Sequence, residues 1–264
     1  MKLKPLHDPA AGPLRIVGLM SGSGTNLRRI LEHQERLEKQ EGRPVYQVAV
    51  IFSDTWNSKA LEIGRDHDLP VLVRDLRSWL KKRAIPRSDL KRREDFDRAT
   101  VEALKPFQAT AAAYAGYMSL ATPPLIQAWM GVNVHPADLS VTLPNGKRKW
   151  TGAHAVRDAI AAGEKFLHSS THLIEPECDM GRLFMISPAV PVEIPPGADL
   201  SNPATLEQVA SHNQDRLKQK GDWLIFPRTL EALARGHFQT DPSGHLYFHG
   251  QPIPQGLRLP DSEL

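Results

Sequence analysis

The sequence predicts an α/β protein: a mostly parallel central sheet with helices on both faces, finished by a C-terminal β-hairpin. Three observations carry this reading. Short apolar runs alternate with helical stretches through residues 14–136, the signature of strand–helix–strand units. The first junction, "MSGSGTN" at 20–26, is glycine-rich and opens a helix. Two later apolar runs, 166–175 and 181–192, flank a tight turn.

"LRIVGLM" (14–20) is a run of the buried-strand type, and "TNLRRILEHQERLEKQ" (25–40) follows with Leu27, Ile30, Leu31 and Leu37 on one helical face. "YQVAVIFSD" (46–54) is a second strand, 58–68 a helix and 69–75 a third strand. "REDFDRATVEALKP" (93–106) is a helix that stops before Pro106. Residues 109–118 and 131–136 are two further strands separated by a helix at 123–130. A helix at 151–164 precedes the pair of late strands, with "PECDMG" (176–181) as their turn. Residues 202–236 give one or two helices broken near Gly221, and 236–253 a terminal hairpin turning at Pro242–Gly244. Residues 1–13 read as a loose leader and 14–264 as a single domain.

Bulk composition narrows the function. The chain has 264 residues, 41% hydrophobic and 24% charged, with a net charge of +3. That is an ordinary soluble domain, and so small a charge gives no footing for nucleic-acid binding. One cysteine, Cys178, excludes an internal disulfide framework and fits a reducing compartment. No run approaches the roughly 18 apolar residues of a membrane span, and the N-terminus lacks a signal-peptide core. The expectation is a cytoplasmic protein with no membrane partner. Two segments dense in lysine and arginine, 77–95 and 141–150, read as added loops, either solvated or contacting an anionic partner.

In sheets of this kind ligands sit at the carboxyl ends of the strands. At the first such end, Ser23, Gly24, Thr25 and Asn26 would gather unpaired N–H groups at a helix N-terminus, where an anion fits. A phosphate, a dinucleotide or a purely structural turn are the open readings. The spacing Gly22-x-Gly24-x-x-Leu27 lacks the third glycine of a dinucleotide fingerprint. In "GVNVHP" alternation puts Asn133 and His135 on one face of a strand end. An amide can donate to a developing oxyanion and an imidazole can shuttle protons; alternatively His135 serves only the turn before Pro136. Asp179 lies in the late turn, where a carboxylate can orient a histidine, or simply make the turn. "HSSTH" (168–172) has an apparent metal spacing, but in a strand four residues separate the rings by roughly 13 Å, so no metal site is expected. Cys178 has no activating base or helix end beside it and reads as packing.

Taken in order, strand–"SGSGTN"–helix, "FSD", "AGYM", "NVHP" and "CDMG" resemble the glycinamide ribonucleotide formyltransferases over about residues 14–255. The resemblance implies a Rossmann-like formyltransferase fold with a nucleotide- and phosphate-binding half (14–135) and a folate-binding and C-terminal half (136–264). It also implies transfer of a formyl group from 10-formyltetrahydrofolate, a co-substrate, to the primary amine of a phosphorylated substrate, most simply glycinamide ribonucleotide in purine synthesis, without a metal. The implied catalytic residues are Asn133, His135 and Asp179, and the implied phosphate and ribose turn is Ser23, Gly24, Thr25 and Asn26. Asp222 would hold the substrate amine, with Asp where the family carries Glu. Folate would lie along Tyr117, Met118, Ser119, Leu120 and Ala121 and against Glu177 and Cys178. Two departures stand out: Ser119 replaces an arginine common in the family, and "ADLSVTLPNGKRKWTG" (137–152) carries an insertion after His135. Competing readings are formyltetrahydrofolate hydrolysis or amino-sugar formylation on the same fold, and an inactive folate-, nucleotide- or RNA-binding protein. A homodimer is left open.

Overall fold

Alternation along the first long strand sets the layers. In β2 (Leu14–Met20), following a short β1 (Lys4–Pro5), Leu14, Ile16 and Met20 enter one buried cluster while Val17 and Leu19 enter another. Both faces of the sheet are therefore covered, as near-continuous apolar strands require. The computed structural model describes residues 2–263. Its remaining strands are β3 (Tyr46–Ser53), β4 (Val71–Val73), β5 (Ala111–Tyr114), β6 (Met130–His135), β7 (Phe166–Leu167), β8 (Ser170–Leu173), β9 (Leu183–Ile186), β10 (Val190–Pro191), β11 (Phe238–Thr240), β12 (Leu246–Phe248), β13 (Gln251–Pro252) and β14 (Leu257–Arg258). The helices are α1 (Thr25–Glu41), α2 (Ala60–Asp66), α3 (Leu76–Lys82), α4 (Leu90–Leu104), α5 (Pro123–Ala128), α6 (Ala155–Ala161), α7 (Pro203–Leu217) and α8 (Trp223–Ala234).

The main sheet runs β14-β9-β8-β6-β5-β2-β3-β4. Strands β2 to β6 pair in parallel, whereas β8 joins β6 and β9 antiparallel. β2 leads to β3 on one side, and the chain then crosses back to place β5 on the other. That reversal opens a crevice at the carboxyl ends of β2, β5 and β6. Leu27, Ile30, Leu31 and Leu37 of α1 are buried as their spacing predicts, packing with Ile225, Phe226 and Leu230 of α8 on one face. Leu76, Leu80, Phe96 and Leu125 from α3, α4 and α5 cover the other. No described helix is long and apolar enough to cross a membrane.

Two expectations change and two are refined. The leader is not loose over its described part: Lys4–Pro5 pairs antiparallel with β11 in a four-stranded sheet with β12 and β13. The basic segment 77–95 is not a loop but most of α3 and the start of α4. Asp75 and Asp89 cap these helices by accepting from Ser78 N and Arg92 N, each cap worth about 1 kcal/mol. Dense charge on the exposed faces hid the apolar period there. The helical stretch 202–236 divides near Gly221 as expected, and a π-turn, Lys218–Asp222, carries the chain from α7 into α8. Finally, 141–150 is a largely exposed loop, as the solvated reading has it, but two of its basic side chains are held in place. Arg148 donates to backbone carbonyls of the late turn, and the Lys149 ammonium pairs with Glu164 and sits 4.1 Å from the Trp150 ring centre.

Candidate active site

A cleft of 490 Å³ lies at the carboxyl ends of β2, β5 and β6. It is lined by Ser23–Asn26, Tyr117–Ala121, Asn133, His135, Asp179 and Asp222, together with His172, Gly152 and Lys218. The fold thus brings residues separated by up to two hundred positions to one opening.

At one end is the α1 N-terminus. Gly24 is its N-cap at φ 68°, with no side chain capping the helix. The positive φ favours glycine, and a Cβ there would also push aside the side-chain ends of Ile63 (Cδ1 at 2.5 Å) and Met20 (Cε at 2.7 Å). No acidic residue occupies the first turn, and the turn's N–H groups and dipole favour an anion. Asn26 Nδ2 donates to Asp222 Oδ2 at 3.3 Å.

Asp222 closes the π-turn. Gly221 makes its position possible, because a Cβ there would lie 2.5 Å from Ser169 Oγ. With that approach allowed, Ser169 Oγ donates to Asp222 Oδ1 at 2.5 Å. Burial pushes the Asp222 carboxyl up to about 6, against the opposing bonds from Ser169 and Asn26 and the nearby Lys218. It is therefore mostly ionised at neutral pH yet close to titration.

At the other end are Asn133, His135 and Asp179. Asn133 is paired in register with His172 of β8, and the Asn133 Nδ2 to His172 Nε2 distance is 3.2 Å. His172 Nδ1 lies 2.9 Å from the Leu173 carbonyl, which can only accept, so Nδ1 carries the proton. Burial lowers the His172 pKa to about 4; the ring is neutral and its Nε2 accepts from the Asn133 amide. The second amide N–H of Asn133 is left for the cleft. His135 Nε2 donates to the Trp150 carbonyl at 3.0 Å, and its Nδ1 faces Asp179 Oδ1 at 3.6 Å. Burial lowers the His135 pKa, with Asp179 and the Trp150 carbonyl opposing and Arg148 adding to the shift. At neutral pH this ring holds a lone pair at Nδ1, and protonation there would place an imidazolium against the carboxylate.

Asp179 is a non-glycine residue at φ 57°, a conformation that persists only where neighbours fix it. Its Oδ2 accepts from Gly152 N at 2.8 Å. Its Oδ1 lies 3.6 Å from His135 Nδ1 and 3.7 Å from His172 Nε2.

Along the third wall, Met118 N donates to Ser21 Oγ at 3.0 Å and Ser119 Oγ to Asp54 Oδ2 at 2.5 Å. These bonds tie the loop after β5 to the ends of β2 and β3. Met118 and Leu120 are exposed, leaving an apolar surface at the mouth. Two sequence assignments change here. Glu177 is exposed and is not among the residues lining the cleft, where Glu175 takes its place. Cys178 is exposed on the cleft rather than packed in a core, its thiol pushed up by burial and by Asp179.

Sequence reasoning missed His172, Ser169, Arg148 and the backbone groups of Trp150 and Gly152. His172 was weighed only as a metal ligand with His168. The strand reading that argued against that pairing also put His172 opposite Asn133, but only the β6–β8 register makes this visible. Among the described residues no group of three or more His, Cys, Asp or Glu is placed to hold a metal ion.

Comparison with known proteins places this geometry in context. Residues 14–202 match the formyl transferase family model. The chain is 28% identical over 191 residues to a phosphoribosylglycinamide formyltransferase of Mycobacterium tuberculosis, covering 72% of this chain and 76% of that protein. It is 25% identical to the human trifunctional purine biosynthetic protein adenosine-3, over 88% of this chain but only 19% of that protein's length. The crystal structure of glycinamide ribonucleotide transformylase 1 from Symbiobacterium toebii superposes with a TM-score of 0.62 at 27% identity, covering 87% of this chain and 92% of the other. A Coxiella burnetii phosphoribosylglycinamide formyltransferase shares the fold, with a TM-score of 0.66 at 21% identity over 94% of this chain and 100% of the other.

Proposed function

Because the chain belongs to the formyl transferase family, we propose that it transfers a formyl group from 10-formyltetrahydrofolate to the primary amine of a phosphorylated acceptor, glycinamide ribonucleotide being the simplest. One observation carries the proposal. An amide, an imidazole and a carboxylate converge at one end of a cleft whose other end is an anion-binding helix N-terminus.

In this reading the acceptor's phosphate sits on Ser23–Asn26 and supplies binding energy remote from the reacting atoms. Asp222, ionised above about pH 6, accepts from the amine group. Folate lies along Tyr117–Ala121 and against Cys178. The neutral amine bonds to the formyl carbon, and the free N–H of Asn133 donates to the oxyanion that forms. His135 Nδ1 takes the proton that the amine loses, its imidazolium held by Asp179. The bond from the formyl carbon to N10 then breaks as the proton held by His135 passes to N10, which leaves His135 neutral again.

The test is direct. The protein is incubated with 10-formyltetrahydrofolate and a panel of amines, following folate absorbance and product mass. Formylation of glycinamide ribonucleotide with release of tetrahydrofolate is expected. Formate release without a formylated amine identifies a hydrolase instead, and an unchanged folate spectrum with every amine rejects the proposed reaction.

A further inference from the structure

The segment inserted after His135 meets the candidate catalytic groups at three points. The Trp150 carbonyl accepts from His135 Nε2 at 3.0 Å, and Gly152 N donates to Asp179 Oδ2 at 2.8 Å. Arg148 donates from Nη1 to the Asp179 carbonyl and from Nη2 to the Gly181 carbonyl at 2.8 Å. The segment is itself braced. A bridge pairs Thr142 with Arg148, Leu143 N donates to Lys147 O at 2.7 Å, and Trp150 is buried. A guanidinium is suited to this task because its planar fork presents two parallel donors.

We propose that Arg148 is a positioning residue for formyl transfer: its two bonds lock the Asp179 turn onto the 148–152 segment, so that one element fixes both Asp179 and His135. The inference rests on the formyl-transfer reading above, and Arg148 acts through Asp179 rather than on substrate. Asp179 stands in the left-handed region, and the Arg148 bond to its own carbonyl is what pins that conformation. Without it, the turn loses the contact that keeps Oδ1 facing His135 Nδ1. Burial is what chiefly lowers the His135 pKa, and the Arg148 cation adds a smaller push in the same direction.

The test is Arg148→Met in the full chain, with three readouts. The kcat for formyl transfer is expected to fall by about 10–100-fold, the range that misplacing a reacting group produces. The acceptor KM should stay within about twofold, because the phosphate turn is untouched. Added guanidinium chloride at millimolar concentration is expected to restore part of the rate with saturation. Independently of turnover, hydrogen exchange at the Gly152 amide should quicken by at least about tenfold. A kcat within twofold of wild type overturns the proposal, as does a loss of rate that only follows a loss of folded protein by circular dichroism. If Arg148→Met does not fold, Arg148→Lys takes its place. An ammonium is a single point and cannot reproduce the parallel fork, so wild-type kcat in R148K also overturns the proposal. A wild-type protein that transfers no formyl group counts against the activity, and Gly152 exchange alone then decides the role of Arg148.

Discussion

His172 Nε2 lies 3.2 Å from Asn133 Nδ2 and 3.7 Å from Asp179 Oδ1, so one buried neutral imidazole touches two of the three candidate catalytic groups. Its proton sits on Nδ1, held by the Leu173 carbonyl. This fixes the ring as an acceptor toward Asn133 and sets the amide with one N–H toward the cleft. The pair is formed by facing strands, and neither residue alone reveals it.

His172→Phe keeps a planar ring and removes both the acceptor toward Asn133 and the donor to the Leu173 carbonyl. The kcat for formyl transfer is expected to drop by about tenfold, an amount in keeping with one misdirected oxyanion donor. Stability supplies a second measurement. The folded pKa of about 4 lies below the ordinary 6.5, so the wild-type chain loses stability as pH falls from 6.5 through 4. The loss is about 3 kcal/mol by linkage. Urea midpoints across that range should be flatter in H172F, and an identical slope in both proteins removes His172 from the account.

His135→Ala is expected to lower kcat at least about 100-fold, since it deletes the proposed proton acceptor. In the wild type the neutral ring is the active form and burial lowers its pKa. Activity should therefore fall on the acid side through a limb centred below the ordinary value near 6.5. The groups facing that ring are Asp179, Arg148, His172 and the Trp150 carbonyl. A pH–rate profile whose acid limb lies above 6.5 contradicts this placement.

Asp222→Asn separates stability from function. The folded carboxyl titrates near 6, above the ordinary 3.8. Its contribution to stability is thus complete below pH 3.8 and is lost as pH rises through 6. Replacing it by a neutral amide should stabilise the protein at pH 7–8 by up to about 3 kcal/mol, a gain that vanishes below pH 4. The same change removes the anion proposed to hold the acceptor amine, and kcat/KM is expected to fall by about 100-fold. Thermal melts at pH 4 and pH 8, set beside turnover, check both halves.

Gly24→Ala places a Cβ on Ile63 and Met20 at a residue with φ 68°. Destabilisation of about 1–3 kcal/mol is expected from the backbone conformation. The KM for a phosphorylated acceptor should rise at least about tenfold, with kcat changed less. Inorganic phosphate should compete with the acceptor in the wild type and lose that competition in G24A.

The strand ends were legible because each is marked locally: an apolar run, then a glycine, an asparagine or a histidine. Asn133, His135 and the Gly24 turn sit at such ends, Asp179 lies in the turn between β8 and β9, and the buried face of α1 followed from its spacing. The basic segment 77–95 was misread because charge on exposed helical faces outweighed Leu76, Leu80 and Phe96 beneath. Glu177 is the one residue of 174–179 that does not line the cleft, a detail of turn conformation with no local sequence signal.

The sequence by itself determined the alternating α/β order, the glycine-rich helix entry and the chemical types at the strand ends. Periodicity and turn chemistry act over a few residues, and such signals survive without the fold. Only the tertiary structure decided that His172 supports Asn133, that Ser169 and Asn26 hold Asp222, and that Arg148, Trp150 and Gly152 fasten the Asp179 turn to His135. Those contacts span 27 to 196 positions in the chain, apart from the 15 between His135 and Trp150. They depend on strand register and on the close approach that Gly221 permits, neither of which leaves a mark in the local sequence.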